Sequence, residues 1–161
     1  MSESDAKATS LRKAGEFRWE GVEHRPYKDE DSAPFKAISR QALFSDPRLL
    51  AELRYFEIEP GGFSTLERHE HMHAVMVLRG RGHCLVGAEV HALEPHDLVT
   101  IEPWTWHQFR ASDRAPLGFL CLVNAARDRP QLPSAQDFAG LRANPAVAAF
   151  LDGYAEAELV R

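Results

Sequence analysis

Between Gly61 and Asn124 the chain is cut into short β-rich runs by closely spaced turn signals, and this punctuation limits what it can fold into. The breaks are Gly61-Gly62, Gly80-Arg81-Gly82, Val86-Gly87-Ala88, Glu94-Pro95-His96-Asp97 and Ser112-Asp113. The runs are His73–Arg79, His83–Val86, Glu89–Leu93, Leu98–Ile101, His107–Ala111 and Leu117–Asn124. None has the length of an ordinary helix. Short strands at this regular spacing predict an antiparallel barrel or sandwich.

The flanks extend that reading. Residues 1–15 are polar and are expected to fray. Glu16 to Tyr27 carries Phe17, Trp19, Val22 and Tyr27 in a charged context and reads as an extended arm, followed by a polar break at 28–34. Phe35–Leu43 and Leu50–Ile58 are strand-like. In the second, Leu53, Tyr55 and Glu57 alternate with Arg54, Phe56 and Ile58, so both faces should be partly buried. After the irregular strap Arg127–Pro133, Ser134 and Asp137 have the spacing of a helix N-cap and its partner. Asn144-Pro145 opens a second helix whose Val147, Phe150 and Leu151 should pack inward. The expectation is an all-β domain over residues 16–130, with short helices in 131–161.

Composition excludes several classes. At 161 residues the chain is one domain. Its 19 Lys and Arg against 24 Asp and Glu give a net charge of −5, and no basic block offsets it, so nucleic acid is not an expected partner. No apolar run approaches the roughly 20 residues of a membrane helix. The first ten residues lack an apolar export segment, and the two cysteines, Cys84 and Cys121, read as free thiols in a reducing cytoplasm.

The residues that carry chemistry are histidines. Of eight, five fall between His69 and His91. Glu67-Arg-His69-Glu-His71-Met-His73 places four potential ligands two apart, and on a strand alternate residues share a face. A single inward histidine reads as a hydrogen-bonded core residue. Four polar groups on one buried face need a shared partner, because burying them without one is costly. Imidazole and carboxylate suit Mn, Fe, Ni, Co or Zn. His24, His83, His91 and His96 read as surface or turn residues, and Trp104 and Trp106 as packing groups. Cys121, in Gly118-Phe-Leu-Cys-Leu-Val123, is either a small buried apolar residue or a thiol facing the cavity. Cys84 reads as structural. Arg54, Arg68, Arg110, Arg127 and Arg129 are candidates for a phosphate clamp.

The stretch from Gly61 to Ala111 resembles the cupin family. The first cupin motif runs Gly, five residues, His, one, His, three or four, Glu, six, Gly. It falls on Gly61, Glu67, His69, His73 and Gly80, with Glu67 in place of the first His and His73 in place of the Glu. In the second motif His107 keeps the ligand position, while His96, Glu102, Trp104 and Ala111 replace the usual Gly, Pro, Gly and Asn. The resemblance implies a double-stranded β-helix, or jelly-roll barrel, with metal ligands Glu67, His69, His73 and His107 and with His71 as a neighbouring group. It also implies pairing into a homodimer, to which the arm could contribute.

A narrower resemblance rests on the Glu-x-His-x-His-x-His run, on Pro103-Trp104-Thr105, and on Gly118-Phe-Leu-Cys121 followed by Arg127-Asp-Arg-Pro130. Together these are similar to the cupin sulfurylases of methylthioadenosine salvage. That likeness implies a manganese-type site and thiol-dependent removal of the methylthio group from a phosphosugar substrate (1-methylthio-xylulose 5-phosphate), with glutathione as co-substrate. Cys121 and His71 are the catalytic candidates: either could move the protons, and the attacking thiolate is that of glutathione or of Cys121. The competing readings are a cupin dioxygenase, a sugar-phosphate isomerase and a non-catalytic ligand-binding cupin.

Overall fold

The computed structural model describes residues 11–28 and 33–153. Parts of the expected frayed start and of the break at 28–34 lie outside the described residues, as does the end of the tail. The elements are β1 (Ala14–Gly15), β2 (Arg18–Trp19), β3 (His24–Pro26), β4 (Lys36–Asp46), β5 (Ala51–Phe63), β6 (His73–Gly80), β7 (Gly82–Val86), β8 (Glu89–Leu93), β9 (Leu98–Ile101), β10 (His107–Ala111), β11 (Leu117–Asn124), α1 (Ala135–Arg142) and α2 (Pro145–Asp152). The strand pairs are all antiparallel. One sheet runs β8-β7-β10-β5-β11-β6-β9, with β4 also on β5 and β3 on β4.

The sheet curls because β5 belongs to both walls. Residues Ala51 to Ile58 pair along β11, whereas Phe63 at its far end pairs with Arg110 of β10. The core fills the fold between them. Phe119 of β11 stacks on Phe56 of β5 at 5.6 Å and on Phe109 of β10 at 4.8 Å, so three rings from three strands join the two walls. Each such buried side chain contributes about 1.5–3 kcal/mol, with roughly another 0.5–1.5 kcal/mol per ring pair. Both faces of β5 are covered, as its alternation predicts: Arg54 and Phe56 face inward with the core, while Tyr55 takes the arm on the other side.

Two turns need their sequence. Gly80 has φ +79°, and a Cβ there would overlap the Pro116 carbonyl, so the β6–β7 turn tolerates no side chain. At the C-terminus Ser134 and Asp137 form the expected capping box. Asn144 caps α2, and Val147 and Phe150 bury against Leu66 and Leu85.

The arm lies on its own barrel. Phe17 and Trp19 pack on Tyr55 at ring separations of 5.7 and 5.1 Å. Farther along, Tyr27 packs edge-on against Phe35 and Phe56, which carries Lys28 into the barrel mouth. Of the histidines read as surface or turn residues, His24, His91 and His96 are exposed. His83 is buried, because it sits mid-strand in β7 between β8 and β10.

Candidate metal and thiol site

One cavity of about 190 Å³ collects Glu67, His69, His71, His73, His107 and Cys121, the six metal-ligand and catalytic candidates from the sequence, together with Arg54 and Arg127 of the five candidate arginines. They arrive by different routes. His73 opens β6 and His107 opens β10. Glu67 lies outside the named strands: its backbone bridges His107, Arg68 bridges Gln131, and the chain from His69 to Met72 is irregular. The expected continuous strand is thus only a pair of isolated bridges, yet the two-residue spacing still turns these side chains to one side. The His69 carbonyl accepts from the Trp104 N–H at 2.7 Å, which ties this segment to the loop before His107.

His69, His73 and His107 bring ring nitrogens within 4.8 Å of one another. The His69 Nδ1 lies 2.6 Å from the His71 carbonyl and the His107 Nδ1 lies 2.9 Å from the Thr105 carbonyl. A carbonyl only accepts, so both Nδ1 atoms carry the proton and both Nε2 lone pairs are left for the interior. Carbonyl-oriented imidazoles of this kind are how proteins hold metal ligands. The His73 Nε2 faces the His69 Nε2 at 2.9 Å, two nitrogens converging on one point. Burial, reinforced by the neighbouring histidines His107 and His71, pulls His69 down to about 4. Burial and then His107 and His69 pull His73 down to about 2, and burial lowers His107. All three rings are therefore neutral at physiological pH, the state a metal requires. The donor set fits a divalent metal of the Mn, Fe, Co, Ni or Zn series.

Glu67 is buried at the edge of this group, where its carboxylate accepts from Lys28 at 2.5 Å. His71 takes a different position from the other histidines. Its ring lies parallel on His69 at 3.5 Å, and its Nδ1 donates to Asp128 at 2.7 Å. Asp128 also accepts from the backbone N–H groups of Glu70 and His71. Burial pushes the Asp128 carboxyl up, but these three hydrogen bonds outweigh it and hold the group far below the ordinary range.

Cys121 faces the cavity. Its Sγ lies 3.3 Å from the His73 Nδ1 and 3.9 Å from an Arg54 guanidinium nitrogen. Burial raises the thiol and Arg54 opposes that rise. Cys84 points into the core and is pushed up to about 12. Trp104 and Trp106 do not line the cavity: Trp104 is half exposed, and Trp106 takes the Arg68 guanidinium on its ring at 4.5 Å. Tyr27, Lys28, Arg40 and Asp128 line the cavity without having been singled out. The sequence carries no local signal for the first three, and Asp128 is marked only by its place in the Arg127-Asp-Arg-Pro130 run.

Residues 54–123 match the cupin domain family. The chain is 57% identical over 155 residues, covering 96% of it and 99% of the relative, to the 1-methylthio-D-xylulose 5-phosphate methylsulfurylase of Rhodospirillum rubrum. The chain is a cupin. Solved cupins agree. A cupin-2 domain protein of Rhodospirillum rubrum superposes with a TM-score of 0.81 at 59% identity, covering 89% of this chain and 97% of that one. A cupin 2 conserved barrel protein of Rhodopseudomonas palustris gives 0.83 at 57% identity, covering 88% and 98%. Near-complete kinship with a methylsulfurylase makes this cupin an enzyme. None of its described helices is long and apolar enough to cross a membrane.

Proposed function

We propose that this cupin removes the methylthio group from 1-methylthio-xylulose 5-phosphate, giving 1-deoxyxylulose 5-phosphate and methanethiol, with glutathione as reductant, in methylthioadenosine salvage. One observation carries the reading: a thiol, Cys121, is held against His73 inside the cavity of the candidate metal centre. Kinship with the named methylsulfurylase supports the substrate.

His69, His73 and His107 would hold the metal, with Glu67 joining them on release from Lys28, and manganese is the ion assigned. When bound, it supplies a Lewis acid for the C2 carbonyl and C3 hydroxyl of the ketose. The chain's own residues do the rest. With the His73 Nε2 turned to the other imidazoles, its Nδ1 faces the Cys121 sulfur and orients it. The Cys121 thiolate attacks the methyl-bearing sulfur. An S–S bond forms, the C1–S bond breaks, and its electron pair passes to C1. His71, aligned by Asp128, delivers the proton to C1, which matches the proton the thiol gave up. Two glutathione thiols then release methanethiol and regenerate Cys121 by exchange, leaving one glutathione disulfide. Two electrons reduce the carbon and two thiols are oxidised. Both cysteines are free thiols, as such a cycle requires.

The test is methanethiol release from the manganese-loaded enzyme supplied with substrate and reduced glutathione. Release that needs both metal and thiol is expected. A fully metallated enzyme that releases none removes the assignment.

A further inference from the structure

Three guanidinium groups, those of Arg40, Arg54 and Arg127, line the same cavity as the imidazoles and Cys121. The register explains how. Arg40 of β4 opposes Phe56, Arg54 lies two residues before Phe56 on the same face of β5, and Arg54 opposes Cys121 on β11. Arg127 enters from the strap that follows β11, where one of its guanidinium nitrogens donates to the Asn124 carbonyl at 3.0 Å and leaves the others for the cavity.

These charges are poorly compensated. Lys28 is matched by Glu67, and Asp128 is engaged by His71, so neither acid of the cavity lining serves the arginines. Glu52 lies 3.6 Å from Arg54 and 3.7 Å from Arg127, beyond hydrogen-bond length for both. Arg54 is only 9% exposed, and its Nε has no hydrogen-bond partner among the described residues. Burial, and next the like charge of Arg54, pull Arg40 below its ordinary range. Arg54 is buried, Arg40 partly buried and Arg127 more open, and holding the buried charge beside two like charges with Glu52 only at a distance is costly until an anion arrives. The anion that fits is a phosphate monoester, with about −1.5 to −2 charge and three acceptor oxygens at neutral pH. Planar guanidinium groups bind such oxygens in pairs.

We propose that Arg40, Arg54 and Arg127 form the phosphate-recognition subsite of this enzyme; the assignment rests on the sugar-phosphate reading above. Arg68 and Arg110 are excluded from it because neither lines the cavity, although Arg54 too lies over a ring, that of Phe56 at 5.0 Å. Arg68 lies on Trp106 and donates to Gln131, while Arg110 packs between Phe63 and Phe150 and donates to the Leu151 carbonyl. Arg54 then has two neighbours, the phosphate on one side and the Cys121 sulfur on the other, which sets the carbon chain of the substrate toward the imidazoles.

The test combines calorimetry and kinetics on the metal-loaded enzyme. Inorganic phosphate, xylulose 5-phosphate and xylulose are titrated into the wild type and into Arg40→Gln, Arg127→Gln and Arg54→Lys, with exposed Arg129→Gln as control. Unchanged metal content and melting temperature confirm that each variant is folded, and the two Gln variants decide the matter should Arg54→Lys not fold. Affinity for the two phosphate compounds should fall about tenfold or more in each variant, with xylulose and the control unaffected. In turnover, KM for the sugar phosphate should rise while KM for glutathione stays. Unchanged phosphate affinity in the variants overturns the subsite. So does a rise confined to glutathione, which would assign the arginines to that thiol's carboxylates. Arginine-dependent phosphate binding without methanethiol release keeps the subsite and loses the sulfurylase reading. Release with an arginine-independent KM does the reverse.

Discussion

The His73 Nδ1 lies 3.3 Å from the Cys121 Sγ across the antiparallel β6–β11 pair, so one side chain touches both the imidazole group and the thiol. A sulfur in that position is reachable from the cavity, whereas Cys84 is sealed in the core and pushed up to about 12. Methyl methanethiosulfonate should therefore modify Cys121 and leave Cys84 untouched. Because burial raises the Cys121 thiol, the rate should climb from pH 7 to pH 9 as thiolate forms. Peptide mapping after brief exposure checks both points.

Three neutral imidazoles with their outer nitrogens tied to carbonyls or the thiol can hold a metal in the folded state only. Manganese at about a hundred times its dissociation constant should stabilise the wild type by about 2.7 kcal/mol, raising the melting temperature by about 5–11 °C. His69→Ala and His107→Ala should lose that rise, and a chelator should reverse it in the wild type. Differential scanning calorimetry with and without metal gives the answer.

Asp128 ties the strap after β11 to the Glu70–His71 segment through three hydrogen bonds. Its folded value lies below its ordinary 3.8, so the folded state binds fewer protons through this group than the unfolded chain does. The stability it contributes is whole above pH 3.8 and is lost as the pH falls toward the folded value. Asp128→Asn should be less stable than the wild type at pH 7, and the gap should narrow in acid. Urea midpoints at pH 7 and pH 3 measure this.

Gly80→Ala places a methyl group on the Pro116 carbonyl at a backbone angle of +79°. The substitution should cost more than about 1 kcal/mol, because the β6–β7 turn must shift or strain. The urea midpoint should fall with the slope unchanged.

Much of the fold could be read along the chain because its signals are local. The turn dipeptides delimit β6 through β11 to within a residue, Ser134 and Asp137 mark α1, and Asn144-Pro145 marks α2. The imidazole group was legible for a similar reason: the spacing of His69 and His73, with His107 at the start of β10, survives even though the first of them sits in irregular chain. What surrounds them was not legible. Lys28 reaches Glu67 across 39 positions, and Asp128 reaches His71 across 57. Such pairings depend on how the arm and the strap close over the barrel, and no short-range pattern records that. Cys121 was ambiguous because the inward face of β11 is apolar core along Leu117 and Val123 and meets the cavity only at Phe119 and Cys121. Among the five candidate arginines, only the structure separates Arg54 and Arg127, which line the cavity, from Arg68 and Arg110, which do not.

The most direct measurement is a single turnover of the metal-loaded enzyme with 1-methylthio-xylulose 5-phosphate and no glutathione, read by intact mass and peptide mapping. The expected result is one methylthio group on Cys121, one equivalent of 1-deoxyxylulose 5-phosphate, and methanethiol only when glutathione follows. Cys121→Ser should keep its metal and lose turnover by on the order of a thousandfold. Formation of the deoxy sugar at an undiminished rate by Cys121→Ser, with no adduct on the wild type, would contradict it.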